Sequence, residues 1–299
     1  MTEIKFGFWP RSLTLDTSTV HVEPLPDFET VVERIKRSDR AGTRWFYPPL
    51  TAVYEPGREE GDVPLIYAGA YALPPTHLVR VSDTDGQEFG ELIITLLGLL
   101  EGIRLVPEQW SHFYRASIEP HSLVDFVANR RDIEHVLHLA QCFWGAHSAQ
   151  EVRRGMFGAI HWLLFSQSYE HQFEEFSGQY IVLDACYKLH CDVHGPPSVR
   201  PTHATRPSYL ARYYSIPEPA WASIRADGAC DLSELRNQFF HEGRYGGQPI
   251  GFAHPTNHPS IVLELTAFNT RLLLGILGLD CGYVRSAVDT RQMHGLDLP

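Results

Sequence analysis

From Phe173 to Tyr187, large apolar side chains recur at Phe173, Phe176, Tyr180, Leu183 and Tyr187, in steps of 3, 4, 3 and 4. That spacing stacks them on one face of an α-helix, and such a stripe needs partner surfaces to cover it. A chain carrying this element must build a packed helical layer around it. Periodicity and capping predict the neighbours: helices over Ser122–Ala146, Ser148–Gln167, Tyr169–Cys191, Pro219–Asp227, Leu232–Glu242 and Ser260–Leu279. Between Gly195 and Pro219, six prolines and three arginines predict a connecting segment with a helical turn around Tyr209–Tyr214.

The first part of the chain reads differently. From Thr2 to Asp85 short alternating stretches, such as Ser12–Val22 and Leu65–Ala72, are separated by nine prolines, the pattern of a β-rich region. A helix is expected at Phe28–Arg37, with Val31, Val32 and Ile35 on one side. Another is expected at Glu88–Glu101, stopped by Gly102 and followed by a short extended piece at Ile103–Val106. With a boundary near Pro120, the expected fold class is α+β. A β-rich α+β domain would span residues 1–120 and an all-α helical bundle residues 121–299.

Composition excludes several classes. At 299 residues with 43% apolar and 20% charged residues, the chain resembles an ordinary globular protein, not a disordered or collagen-like one. Its most apolar run, Leu92–Leu100, contains Thr95 and Gly98 and is about half the length of a bilayer span. No secretory signal pattern is visible at the start, so a cytoplasmic location is expected. Five cysteines at irregular spacings (Cys142, Cys186, Cys191, Cys230, Cys281) fit reduced thiols. A net charge of −11 argues against a non-specific nucleic-acid coat, which must neutralise many phosphates. The charge is uneven, however: residues 196–250 hold six arginines and five carboxylates, a balance of +1, leaving −12 on the other 244 residues. No Gly-rich phosphate loop with a following Lys and no Gly-x-Ser-x-Gly elbow is present.

Within that least acidic segment, Asp231-Leu232-Ser233-Glu234-Leu235-Arg236-Asn237-Gln238-Phe239-Phe240-His241-Glu242-Gly243 carries the densest chemistry. Asp231 with Glu234 forms a capping arrangement and Gly243 a C-terminal stop, delimiting a short helix. Asn237 and His241, four apart, share a face, with Arg236 one step round, so the three tips can converge on one ligand. Arg236 and Asn237, three further residues, His241 and then Gly243 resemble the signature of the HEPN superfamily, small helical bundles that include many RNA-cutting toxins and antiviral nucleases. Two long helices, an irregular segment, the motif helix and a closing apolar helix are similar to its Apea-like branch. The resemblance covers roughly residues 148–280.

The resemblance implies a metal-independent endoribonuclease needing no cofactor, with Arg236, Asn237 and His241 as catalytic residues. It also implies a homodimer in which two motifs face one cleft, and a setting in bacterial anti-phage defence or toxin–antitoxin function, with an antitoxin or a phage-derived activator as partner. The substrate would be RNA, tRNA among the candidates. Plain chemistry agrees: cleavage by 2′-hydroxyl attack needs a proton acceptor, a proton donor and positive charge on the transition state, and His and Arg suffice. Arg236 would hold non-bridging phosphate oxygens through its planar fork, Asn237 would orient the imidazole or bind phosphate, and His241 would move the proton. A non-catalytic module that binds RNA, a nucleotide or a protein partner through the same cleft is the alternative, as is a regulator whose cleft is occluded until infection. In the blandest case Arg236 pairs with Glu234 or Glu242 and His241 merely complements the helix dipole.

Other residues are candidates for supporting roles. Asp184, in Leu183-Asp184-Ala185, occupies a position where related domains tend to carry glutamate, and either supports Arg236 or pairs with Lys188. Arg200, Arg206, Arg212, Arg225 and Arg244 are natural phosphate partners, and Tyr209, Tyr213, Tyr214 and Tyr245 could stack on unpaired bases or pack internally. Cys186, His190, Cys191 and His194 form a soft-ligand cluster whose spacing suits zinc poorly, so a buried thiol pair is the alternative. His254 and His258 read as loop histidines or substrate contacts, and Gly243, Gly246 and Gly247 as flexible backbone that lets RNA approach.

Overall fold

The computed structural model describes residues 1–49, 70–82, 86–251, 259–290 and 294–298. Strands β1 (Thr2–Gly7), β2 (Leu15–Asp16) and β3 (Val20–Pro24) precede helix α1 (Phe28–Lys36) and the short strand β4 (Trp45–Phe46). Strands β5 (Ala70–Tyr71) and β6 (His77–Val81) lead into α2 (Gly86–Glu101), and β7 (Val106–Pro107), β8 (His112–Phe113) and β9 (Ala116–Ser117) follow. The antiparallel sheet runs β2-β3-β6-β1-β7, with Ile4 opposite Val79 and Val22 opposite Val79 on its other side. Alternation places Ile4, Phe6, Val20, Val22, Val79 and Val81 on one buried face, where α2 covers them. Helix α2 is apolar almost all round, and it contacts α3 and α4 as well as the sheet.

The helical part comprises α3 (Arg130–Ala146), α4 (Gln150–Ser166), α5 (Gln172–His194), α6 (Arg206–Tyr213), α7 (Asp231–Glu242) and α8 (Pro259–Ile276). A two-stranded hairpin, β10 (Arg244–Tyr245) with β11 (Gln248–Pro249), lies between α7 and α8. The architecture is therefore mixed, with antiparallel sheets and a helical layer, and one apolar cluster runs from Ile4 through α2 to Leu274. Among the described residues no helix is long and apolar enough to cross a membrane.

Helix α5 is the centre of this layer. Phe176, Tyr180, Leu183 and Tyr187 of its stripe are buried and Phe173 partly so. It approaches α4 so closely that a Cβ on Gly178 would lie 2.3 Å from the Ser166 Cβ, which explains a glycine in the middle of a long helix. Beside that contact the buried Gln179 amide donates to Ser166 Oγ at 2.8 Å, and Asn269 of α8 donates to the Gln179 carbonyl at 2.9 Å. These bonds fix the register of three helices.

Several expected bounds shift. The helix expected from Ser122 begins at Arg130, because Asn129 accepts from the Asp132 amide and Asp132 from the Asn129 amide, a capping box. Residues upstream serve another purpose: Asp125 pairs at 3.1 Å with the fully buried Arg271 and also accepts from the Tyr283 hydroxyl. The helix expected at Pro219–Asp227 is one 3₁₀ turn, Ala220–Ala222, followed by a turn at Gly228 (φ 80°). Conversely α6 is a real helix within the proline-rich connector, since Pro207 sits in its first turn, where a missing N–H costs nothing.

Candidate functional site

Helix α7 is fixed on one side and open on the other. Its N-cap is Cys230, one residue earlier than the Asp231 capping pattern suggests: the Cys230 N–H donates to Ser233 Oγ at 2.9 Å. Leu232 and Leu235 are buried, and Phe239 packs against Phe176 with ring centroids 6.0 Å apart. Gly243 ends the helix in the left-handed conformation (φ 63°). With that apolar side committed, Arg236, Asn237, Phe240 and His241 lie on the remaining, more exposed side.

There the three motif side chains touch. Arg236 Nη1 donates to Asn237 Oδ1 at 3.0 Å and to His241 Nε2 at 2.6 Å. Because guanidinium carries only donors, His241 must accept through Nε2, which puts its ring proton on Nδ1. The guanidinium carbon also lies 5.6 Å from the Phe240 ring centre. Arg236 makes no ion pair among the described residues. Glu234, the carboxylate nearest in sequence, meets Arg225 instead at 2.8 Å. The Arg236 charge is therefore available to an anion, and its Nε is buried with no hydrogen-bond partner among the described residues.

Asp184 does not reach Arg236; it pairs with Arg206 of α6. Arg206 is 6% exposed and also stacks on Tyr187, its guanidinium carbon 4.5 Å from the ring centre. Asp184, Tyr187, Lys188, Arg200, His203 and Arg206 line a groove of about 510 Å³ along α5. Lys188 is paired with Asp192, and Arg200 makes no ion pair among the described residues. His203, which no motif or regular spacing marks, lies 6.1 Å from Tyr180 between ring centres, and its Nδ1 is 2.7 Å from the Tyr180 hydroxyl. Tyr180 in turn lies 6.0 Å from Phe240, so it stands between the groove and α7. Partial burial and the nearby Arg206 charge lower the His203 pKa, and Arg236 adds to that effect.

The remaining candidates are scattered. Arg225 is neutralised by Asp231 and Glu234 and is not a free phosphate contact. Arg212 donates to the Ser208 carbonyl on α6, and Arg244 to the Gly247 carbonyl in the hairpin; both are otherwise exposed. Tyr245 is 7% exposed and its ring packs 5.7 Å from Phe176, so it offers no face to a base. Tyr209 and Tyr214 place their hydroxyls 2.9 and 3.0 Å from the two nitrogens of His190, leaving that imidazole no lone pair for a metal; Tyr213 is exposed at the rim. Cys186 is fully buried, and desolvation pushes its thiol up. Among the described residues no group of three or more His, Cys, Asp or Glu is placed to hold a metal. His254 and His258 lie outside the described residues. No family model, curated protein or solved structure matches this chain.

Proposed function

We propose that the protein is a metal-independent endoribonuclease of the HEPN type, acting through Arg236, Asn237 and His241. One observation carries the reading: a guanidinium with no ion pair among the described residues holds the imidazole of the same exposed helix face at 2.6 Å. An anion entering here meets a charge that no carboxylate among the described residues pairs with. A substrate phosphate would draw Arg236 onto its non-bridging oxygens and release His241 Nε2 for proton transfer, while Asn237 keeps the guanidinium in place. Proton transfer by a positioned imidazole is worth roughly 10²- to 10⁴-fold in rate. The bacterial defence or toxin–antitoxin setting, the pairing of two chains and a cytoplasmic location belong to the same proposal and rest on the resemblance of the motif.

The test is cleavage of tRNA and structured RNA by the purified protein in EDTA. Fragments ending in 2′,3′-cyclic phosphate, abolished by His241→Ala and by Arg236→Ala, support the assignment. Binding without cleavage points to the non-catalytic module, and toxicity on expression that Arg236→Ala relieves points to a nuclease under restraint. Sedimentation of the purified chain tests the homodimer.

A further inference from the structure

The groove along α5 is built around a buried guanidinium with one edge unused. Arg206 is 6% exposed, its guanidinium carbon lies 4.5 Å from the Tyr187 ring centre, and its Nη1 donates to Asp184. Its Nε is buried with no hydrogen-bond partner, and its Nη2 makes no hydrogen bond among the described residues. Nε and Nη2 form one side of the planar fork, the side that meets two oxygens of a single oxyanion. Leaving desolvated N–H groups without acceptors is costly, and an oxyanion in the groove satisfies them. Further donors line the same space. Arg200 makes no ion pair among the described residues, and His203 has its Nδ1 2.7 Å from the Tyr180 hydroxyl while its Nε2 makes no hydrogen bond among them. An anion here favours the tautomer in which Tyr180 donates to Nδ1 and Nε2 carries the hydrogen. Lys188, Arg200 and Arg206 line the groove against one carboxylate, Asp184, and Asp192 draws off part of the Lys188 charge from outside the lining. The balance lies between +1 and +2, the complement of a phosphomonoester, which carries about −1.5 to −2 at pH 7. The volume, about 510 Å³, exceeds what a bare phosphate fills and is in the range of small-molecule sites, and Cys191, Pro196 and Pro197 supply an apolar wall.

We infer that this groove is a binding site for a small organic phosphomonoester. The free edge of Arg206 takes two phosphate oxygens, Arg200 and His203 Nε2 donate to the phosphate as well, and Cys191, Pro196 and Pro197 flank the organic body. Asp184 is a positioning residue: it holds Arg206 by Nη1 while Tyr187 supports the guanidinium, so the fork is fixed before the ligand arrives and little is lost in ordering it. Burial of Arg206 strengthens the pairing, because the charge is poorly screened there. The site is separate from the α7 motif: among the described residues no α7 side chain lines the groove, and Tyr180 and Phe240 stand between the two. The inference goes beyond the ribonuclease reading and does not depend on it.

The experiment is isothermal titration calorimetry of the full chain with four probes: a nucleoside 5′-monophosphate, ribose 5-phosphate, inorganic phosphate and the unphosphorylated nucleoside. The two organic phosphates bind saturably with Kd below about 1 mM, and the other two bind about tenfold more weakly or not at all. A nucleotide that outbinds ribose 5-phosphate shows that the organic body is a nucleoside, and equal affinities show that it is a sugar; both results support the site. Arg206→Lys keeps the charge and loses the fork, so it weakens binding about tenfold or more, and Arg200→Ala, at an exposed position, weakens it roughly three- to tenfold. Asp184→Asn keeps an acceptor for Nη1 and removes the carboxylate from the lining, so it tightens binding several-fold, a change that loss of folding cannot mimic. Circular dichroism checks the fold of each variant. The proposal is overturned if neither organic phosphate binds, if inorganic phosphate binds as tightly as they do, or if Arg206→Lys and Arg200→Ala leave the affinity unchanged. Binding that Arg236→Ala abolishes and Arg206→Lys spares places the anion on α7, which overturns this site and leaves the ribonuclease reading standing. Groove binding in a protein that does not cleave RNA supports this site and counts against that reading.

Discussion

Glu175→Gln is the perturbation whose consequence follows most directly from the structure. Glu175 lies in the first turn of α5 and borders a cavity of about 330 Å³ between the 121–125 segment, α5 and α8. Burial there raises its pKa from 4.5 to about 7, and the Arg115 charge offsets only part of the effect. Below pH 4.5 the folded and unfolded chains both carry the proton, so the group contributes no pH dependence. As pH rises from 4.5 toward 7 the unfolded chain releases the proton while the native chain retains it, and stability falls by about 1.4 kcal/mol per pH unit. Above pH 7 the native carboxyl is ionised too, and the loss levels off at about 3 kcal/mol. Gln has the same shape and does not titrate, so the stability of Glu175→Gln minus that of the wild type should grow by about 3 kcal/mol between pH 4.5 and pH 8. For a chain of this length that equals a relative shift in Tm of roughly 5 °C. Urea unfolding at several pH values measures it, and the other titrating groups cancel in the difference. A difference that stays flat across that range, or shrinks, would refute the claim that the native fold holds this carboxyl desolvated.

His77 and His112 are buried with pKa values lowered by desolvation to about 4 and about 3. Below pH 6.5 the unfolded chain takes up protons that the native chain refuses, so each costs about 2 kcal/mol by pH 5, and His112→Gln should lose that much less stability than wild type between pH 7 and pH 5 in urea unfolding. Asp184→Ala strips the counter-charge from buried Arg206 and should cost about 1–2 kcal/mol, most of it recovered in the double variant with Arg206→Met. Gly178→Ala drives a methyl group into Ser166 and should destabilise by about 1–3 kcal/mol, with partial relief from Ser166→Gly in thermal melts.

How much of the fold the residues announce depends on how local the cause is. Helix α1 appears where the Val31, Val32 and Ile35 face placed it, α2 begins two residues before its expected start, and α7 stops at a glycine with φ 63°. In each of these the determinant lies within a few positions: an apolar face, a cap or a stop. The segment before α3 shows the opposite case. Leu123 and Phe126 are three apart and both buried, which mimics a helical face, but Asp125 is recruited by Arg271, 146 positions away. Periodicity cannot register a buried ion pair that distant. The Asn129–Asp132 box, by contrast, was readable as the true start, four residues of sequence that outrank the weaker apolar spacing upstream.

The same division explains the site. Arg236, Asn237 and His241 meet because one helix turn joins them, so a short string suffices to bring their tips together. His203 sits in a segment with six prolines in its vicinity and no regular spacing, and its neighbour Tyr180 belongs to a stripe whose other members simply pack. Their contact depends on α6 turning the connector back across α5, and α6 is held there by Arg206 against Asp184, 22 positions apart. The aromatic stripe thus does two jobs on one helix face: Phe176 and Leu183 are pure core, while Tyr180 carries a hydroxyl at the edge of that core, where the groove begins. A phenylalanine at position 180 would satisfy the packing equally well. The tyrosine needs a different reason, and the imidazole at 2.7 Å is the one that the structure provides.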